Sequence, residues 1–143
     1  MGISPPAKKS VIAGTAVAVE NRAVLMIGPS GSGKSQIALT MISLGATLIS
    51  DDQILVTERP GHLLVSPIDK TQGKIEARKF GIINVPFQQE AVLCAVLDLG
   101  KTETQRLPPH RTYQLMGHEF ALYWGSNTPS LANIMMLLLK NAK

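Results

Sequence analysis

Gly28-Pro29-Ser30-Gly31-Ser32-Gly33-Lys34-Ser35 follows the pattern G-x-x-x-x-G-K-[ST] without a gap. Each residue type in it has a chemical reason. Glycines let successive backbone N–H groups turn inward and cradle phosphate oxygens as an anion nest. A helix starting just after Gly33 would aim its positive end at the same oxygens. Lys34 can reach the β- and γ-phosphates as a point charge, the Ser35 hydroxyl can ligate Mg²⁺, and Gln36 completes the nucleotide-binding set. From average composition, the pattern arises by chance in a chain this long on the order of once in two hundred. A nucleoside triphosphate or polyphosphate ligand follows from the loop, but no particular reaction does.

Asp51-Asp52 comes directly after the short apolar run Ala46–Ser50, where a Walker-B-type carboxylate stands. One carboxylate there can hold the metal, and the other can accept a proton from an attacking hydroxyl. Adjacent strand residues point to opposite faces, which predicts separate roles for the two. Asp52 lies seventeen residues beyond Ser35, a short route from loop to carboxylate.

These residues need a strand before the loop and a helix after it. Ala23–Ile27 reads as a buried strand behind the Asn21-Arg22 turn, and Val11–Val19, rich in small and β-branched residues, as another. The periodicity of Ile37, Met41 and Leu44 predicts a helix over 34–44, with Gly45 as the stop. Short apolar runs at Ile54–Thr57, Leu63–Ser66, Gly81–Val85 and Val92–Leu97 predict a sheet-rich middle. Lys101–Arg111, polar and carrying Pro108-Pro109, reads as a loop, and Glu119–Trp124 as a further strand. Pro129 suits the first turn of a last helix to about Lys140, with Leu131, Ile134, Met135 and Leu138 on one face. Met136, Leu137 and Leu139 make that helix apolar nearly all round, for burial or a subunit interface. Strand, glycine loop, helix and strand in succession open an α/β nucleotide fold.

Further on stands Glu76-Ala77-Arg78-Lys79-Phe80-Gly81-Ile82-Ile83-Asn84-Val85. With the phosphate loop and the Asp pair at their spacing, this stretch resembles the bifunctional HPr kinase/phosphorylases of bacteria, whose signature has the form E-I-R-G-x-G-I-I-N-V. The likeness runs from about Val11 to Leu107. It implies a P-loop, phosphoenolpyruvate-carboxykinase-like α/β fold with a mixed sheet and few helices. It also implies a flexible lead over residues 1–10 and a catalytic domain over 11–143, as in the short alphaproteobacterial forms.

The resemblance implies the reaction too: ATP or pyrophosphate phosphorylates a serine of the small phosphocarrier HPr, and inorganic phosphate removes it again. By position, Lys34 and Ser35 match the phosphate-binding lysine and the Mg²⁺-binding serine. Asp52 matches the residue that takes the proton from the target serine, and Asp51 its acidic neighbour. Glu76 matches a second metal-binding carboxylate, Arg78 falls in the signature, and Arg106 matches an arginine of the catalytic set. The family forms hexamers. Two departures stand out. Ala13-Gly14 replaces the family's His-Gly pair, and Trp124-Gly125-Ser126-Asn127-Thr128-Pro129 replaces an arginine-containing loop tied to dephosphorylation. The missing arginine loop favours the kinase direction over the phosphorylase, the missing histidine bears on catalytic rate, and both leave a second reading open, a nucleotide-binding regulatory module with little turnover.

Composition narrows the rest. The 143 residues carry a formal charge of +4, with 45% hydrophobic and 17% charged residues, which excludes disorder and fits one domain. At 4% aromatics, stacking platforms for nucleic acid are lacking. Without 18 consecutive apolar residues, no membrane span is expected. Met1–Ser10 has no apolar signal core, so the reading is a cytoplasmic protein. Cys94, the single cysteine, reads as a core thiol, and His62, His110 and His118 are too dispersed for a local metal motif.

Overall fold

The computed structural model describes residues 7–68 and 72–142. Its main sheet has nine strands, of which seven run in the order β1-β5-β6-β9-β3-β2-β4. In chain order these are β1 (Lys9–Ala13), β2 (Thr15–Val19), β3 (Arg22–Ile27), β4 (Thr47–Ser50), β5 (Gln53–Arg59), β6 (His62–Ser66) and β9 (Ala91–Asp98). β10 (Arg111–Leu115) and β11 (His118–Trp124) form a hairpin that joins β9 through β11. β7 (Lys74–Ala77) and β8 (Gly81–Asn84) make a separate hairpin. The helices are α1 (Lys34–Ser43) and α2 (Leu131–Asn141). The sheet is mixed, as expected: β9 runs parallel to β3 and β11 and antiparallel to β6.

Alternation along the central strands explains why both faces of the sheet are covered. Val17, Val24 and Met26 point toward α1 and α2, where they meet Ala38, Met41, Met135 and Leu139. Their neighbours Ala16, Ala18, Ala23 and Leu25 point the other way, onto Ile54, Val56, Leu63 and Phe120 of the curled part of the sheet. A strand between two apolar layers has no polar face to show, which is why β2 and β3 read as near-continuous apolar runs.

Several expectations need correction. Val11–Val19 is two strands, not one: β1 pairs with β5 and β2 with β3 and β4, with Gly14 between. Lys9 and Ser10, read as part of the flexible lead, belong to β1, and residues 1–6 of that lead lie outside the described residues. Pro129 precedes α2, because Ser130 is its N-cap. The buried face of α2 is Leu131, Ala132, Met135, Met136 and Leu139, which leaves Ile134, Leu137 and Leu138 exposed. In α1 the buried residues are Ala38, Met41 and Ile42, and Leu44 is an exposed C-cap. Strands β7 and β10 fall outside the apolar runs, because each shows one face to solvent and alternates apolar with polar residues.

Candidate active site

β3 ends at Ile27 and α1 begins at Lys34, so the phosphate loop spans the gap between strand and helix. Two glycines set its shape. Gly33, the N-cap of α1, has φ 97°, a left-handed conformation that disfavours any side chain. Gly28 has φ 142°, and a Cβ there would sit 2.9 Å from the Ser32 Oγ and 3.1 Å from the Gly100 backbone nitrogen. No side chain caps the N-terminus of α1, so its first N–H groups are left for an external acceptor. The buried Ser32 hydroxyl has no partner among the described residues. Lys34 folds back over the loop: its Nζ donates to the carbonyls of Gly28 at 2.8 Å and Pro29 at 3.0 Å.

The acidic pair is positioned by long-range contacts. Asp51 is half-buried, and its Oδ1 accepts from the Thr15 hydroxyl at 2.7 Å. The Ser35 hydroxyl lies 3.1 Å from both Asp51 oxygens. Asp52 is exposed, with φ 79°, and its carbonyl accepts the Gly14 N–H at 3.0 Å. The pair follows β4 in a bend rather than on the strand, so alternation does not send the two residues to opposite faces. Both line one cavity.

That cavity has a volume of about 550 Å³, within the range of nucleotide-sized sites. Ser30, Gly31, Gly33, Lys34, Ser35 and Gln36 form one wall, while Lys74, Glu76, Arg78 and Ile82 of the β7–β8 hairpin form another. Thr15 and the Asp pair close the floor. The lining thus brings three cationic and three carboxylate side chains around a rim of backbone N–H groups. Its donors are oxygens and cationic nitrogens, without His or Cys, which suits Mg²⁺ rather than a softer metal. Among the described residues no three His, Cys, Asp or Glu side chains converge on one point. Mg²⁺ tolerates that, since it commonly takes one or two carboxylates and completes its shell with water and phosphate.

The family model for the HPr Serine kinase C-terminal domain matches residues 6–92, which contain the loop, the Asp pair and the hairpin. The chain belongs to this family. It is 40% identical over 86 residues to the HPr kinase/phosphorylase of Clostridium tetani, a match covering 60% of this chain and 28% of that one. It is 38% identical over 79 residues to that of Mycoplasmopsis pulmonis, covering 55% and 26% respectively. The chain thus matches little more than a quarter of the length of these curated relatives. Its fold is that of the Hpr(Ser) kinase/phosphatase from Coxiella burnetii, with a TM-score of 0.78 at 23% identity. That likeness covers 92% of this chain and 89% of the other.

Of the site residues expected from this family's pattern, Ser30, Gly31, Gly33, Lys34, Ser35, Gln36, Asp51, Asp52 and Glu76 meet in the cavity. Gly28, Pro29 and Ser32 shape the loop behind it, with Pro29 against Gly100. Arg106 lies apart, exposed in the loop between β9 and β10 and outside the lining. That loop is tied down by Arg111, which donates to Glu103 through two nitrogens at 3.0 Å and lies 3.5 Å from the Trp124 ring centroid. The Arg111 guanidinium holds the Glu103 carboxyl below its ordinary pKa. Thr15 and Lys74 were not foreseen. Thr15 carries no local signal, because its partner Asp51 is 36 residues away. Lys74 could have been found from its period of two with Glu76 and Arg78. Cys94 is half-buried, and burial pushes its thiol up, as befits an unreactive packing residue. No described helix is long and apolar enough to cross a membrane.

Proposed function

We propose that the chain is an ATP-dependent protein serine kinase that phosphorylates an HPr-type phosphocarrier of a phosphotransferase system, with reverse phosphorolysis as its secondary direction. One observation carries this reading: a phosphate loop, a Ser35–Asp51 oxygen pair and an exposed second carboxylate share one cavity. Phosphoryl transfer needs little else, since it depends on positioning and charge stabilisation more than on covalent help from the protein.

The loop N–H groups and the α1 N-terminus hold the phosphates of ATP, or of pyrophosphate as an alternative donor. Lys34 exchanges its two loop carbonyls for phosphate oxygens. Ser35 and Asp51, with Glu76 across the cavity, would hold Mg²⁺, which when bound offsets negative charge on the phosphates. Thr15 fixes the Asp51 carboxylate by donating to its Oδ1, beside the cavity that both residues line. Asp52, exposed and unencumbered by that network, takes the proton of the acceptor serine. Arg106 then acts only if its loop closes over the cavity.

The same reading places the catalytic domain in the cytoplasm and starts it at β1, two residues before the expected 11–143. Self-association into a hexamer is supported by the exposed Ile134, Leu137 and Leu138 on α2. Ala13 and the arginine-free Trp124–Pro129 stretch favour the second reading, a nucleotide-binding regulatory module. Intact-mass spectrometry of an HPr-type carrier incubated with the chain, Mg²⁺ and ATP separates the two. A gain of one phosphate on a serine, lost with Lys34→Ala, is the expected result. Bound ATP without transfer overturns the kinase in favour of the module.

A further inference from the structure

Two cavities meet at the acidic pair. The larger holds the phosphate loop, and the smaller, of about 270 Å³, is walled by Leu48, Ile49, Ser50, Gln53 and Ile68. Three residues border both: Asp51, Asp52 and Lys74. Lys74 opens β7, whose alternation buries Ile75 and Ala77 and turns Lys74, Glu76 and Arg78 to the opposite, exposed face. All three of these charged residues line the phosphate cavity. Lys74 thus stands on a different element from the phosphate loop, beside the carboxylates.

We propose that Lys74 is a catalytic residue that grips the terminal phosphoryl group of a nucleoside triphosphate at the passage between a donor cavity and an acceptor cavity. The inference rests on the kinase reading above and adds a residue and a direction of approach to it. Its physical basis is charge. A terminal phosphate must approach Asp52 to meet the acceptor hydroxyl, and two carboxylates repel it there. Lys34, whose Nζ rests on the Gly28 and Pro29 carbonyls, meets the phosphates from the loop side. A cation on the carboxylate side offsets the repulsion where charge spreads over the oxygens in transit.

In the transfer, the acceptor oxygen forms a bond to the γ-phosphorus while the bond to the β–γ bridging oxygen breaks. The electron pair of that bond leaves with ADP, and the hydroxyl proton passes to the Asp52 carboxylate. Lys74 donates to a non-bridging γ-oxygen and takes no part in the proton transfer. The acceptor side chain comes in from the smaller cavity, past Ser50 and Gln53.

The test compares nucleotides that differ in the γ-phosphate. Calorimetric titration with Mg²⁺ and either β,γ-imido-ATP or ADP is run on the wild-type chain and on Lys74→Met. Loss of one charge-assisted contact should weaken imido-ATP binding about tenfold. ADP affinity should stay within about twofold, which also reports that the variant is folded. Equal affinities for both nucleotides in variant and wild type, or an equal loss on both, overturn the proposal. A wild-type chain that binds neither nucleotide overturns the kinase reading and this inference with it. If the wild type binds both but transfers no phosphate, only the kinase reading falls, and the two affinities still decide whether Lys74 meets the γ-phosphate.

Discussion

Asp52 combines an unusual backbone with an exposed carboxylate, and three substitutions separate the two. At φ 79° the backbone is left-handed, a region that Asp and Asn tolerate, glycine adopts freely, and alanine enters at a cost of about 1 kcal/mol. The side chain is exposed, so no cavity term adds to that cost. Asp52→Asn and Asp52→Gly should therefore unfold near the wild-type temperature. Asp52→Ala should melt lower by about 3 °C for a domain of this size. Chemistry should follow a different order. All three variants lose the general base, so each should transfer phosphate to the carrier about 10²–10⁴ times more slowly. Thermal unfolding by circular dichroism gives the first order, and the time course of carrier mass gives the second. Wild-type transfer by Asp52→Asn would refute the base role, and an alanine variant as stable as the asparagine one would refute the backbone argument.

Three further outcomes follow from the packing and the loops. Met135→Ala on the buried face of α2 should cost about 2–5 kcal/mol in urea unfolding, whereas Leu137→Ala on the exposed face should cost under about 0.5 kcal/mol. The Glu103 carboxyl is held low by Arg111, so the pair contributes stability above the ordinary carboxylate range and loses it as pH falls through the lowered value. The fluorescence of Trp124, the single tryptophan, under the Arg111 guanidinium should change over that acid window and lose the transition in Arg111→Ala. Ala13 pairs with Gln53 across β1 and β5, next to Asp52. Ala13→His should therefore raise the rate of carrier phosphorylation by about tenfold or more, and an unchanged rate would show that position 13 lies outside the chemistry.

Much of the site was legible because its signals are local. The G-x-x-x-x-G-K-[ST] pattern fixes loop and helix within eight residues, and φ 97° at Gly33 is what that pattern anticipates. Apolar runs announced β3, β4, β5, β6, β8, β9 and β11, most firmly the central β3 and β9, because a strand packed on both faces leaves its composition in the chain. Strands β7 and β10 were missed for the converse reason. Each is half solvated, so polar residues alternate with its apolar ones and leave no continuous apolar run.

What the sequence determined by itself is the chemistry on offer: a phosphate cradle, a Mg²⁺-competent hydroxyl and carboxylate, and a family signature, all written in short spans of chain. What only the tertiary structure decided is which of these meet. Thr15 reaches Asp51 because β2 pairs with β4, Lys74 shares the cavity with the acidic pair because the β7–β8 hairpin lines it, and Arg106 lies outside it in the β9–β10 loop. The side of α2 that is buried was settled in the same way. Asn133 and Lys140 mark the outer side of α2, but apolar residues fill so much of the rest that the sheet it packs against chooses which of them are buried.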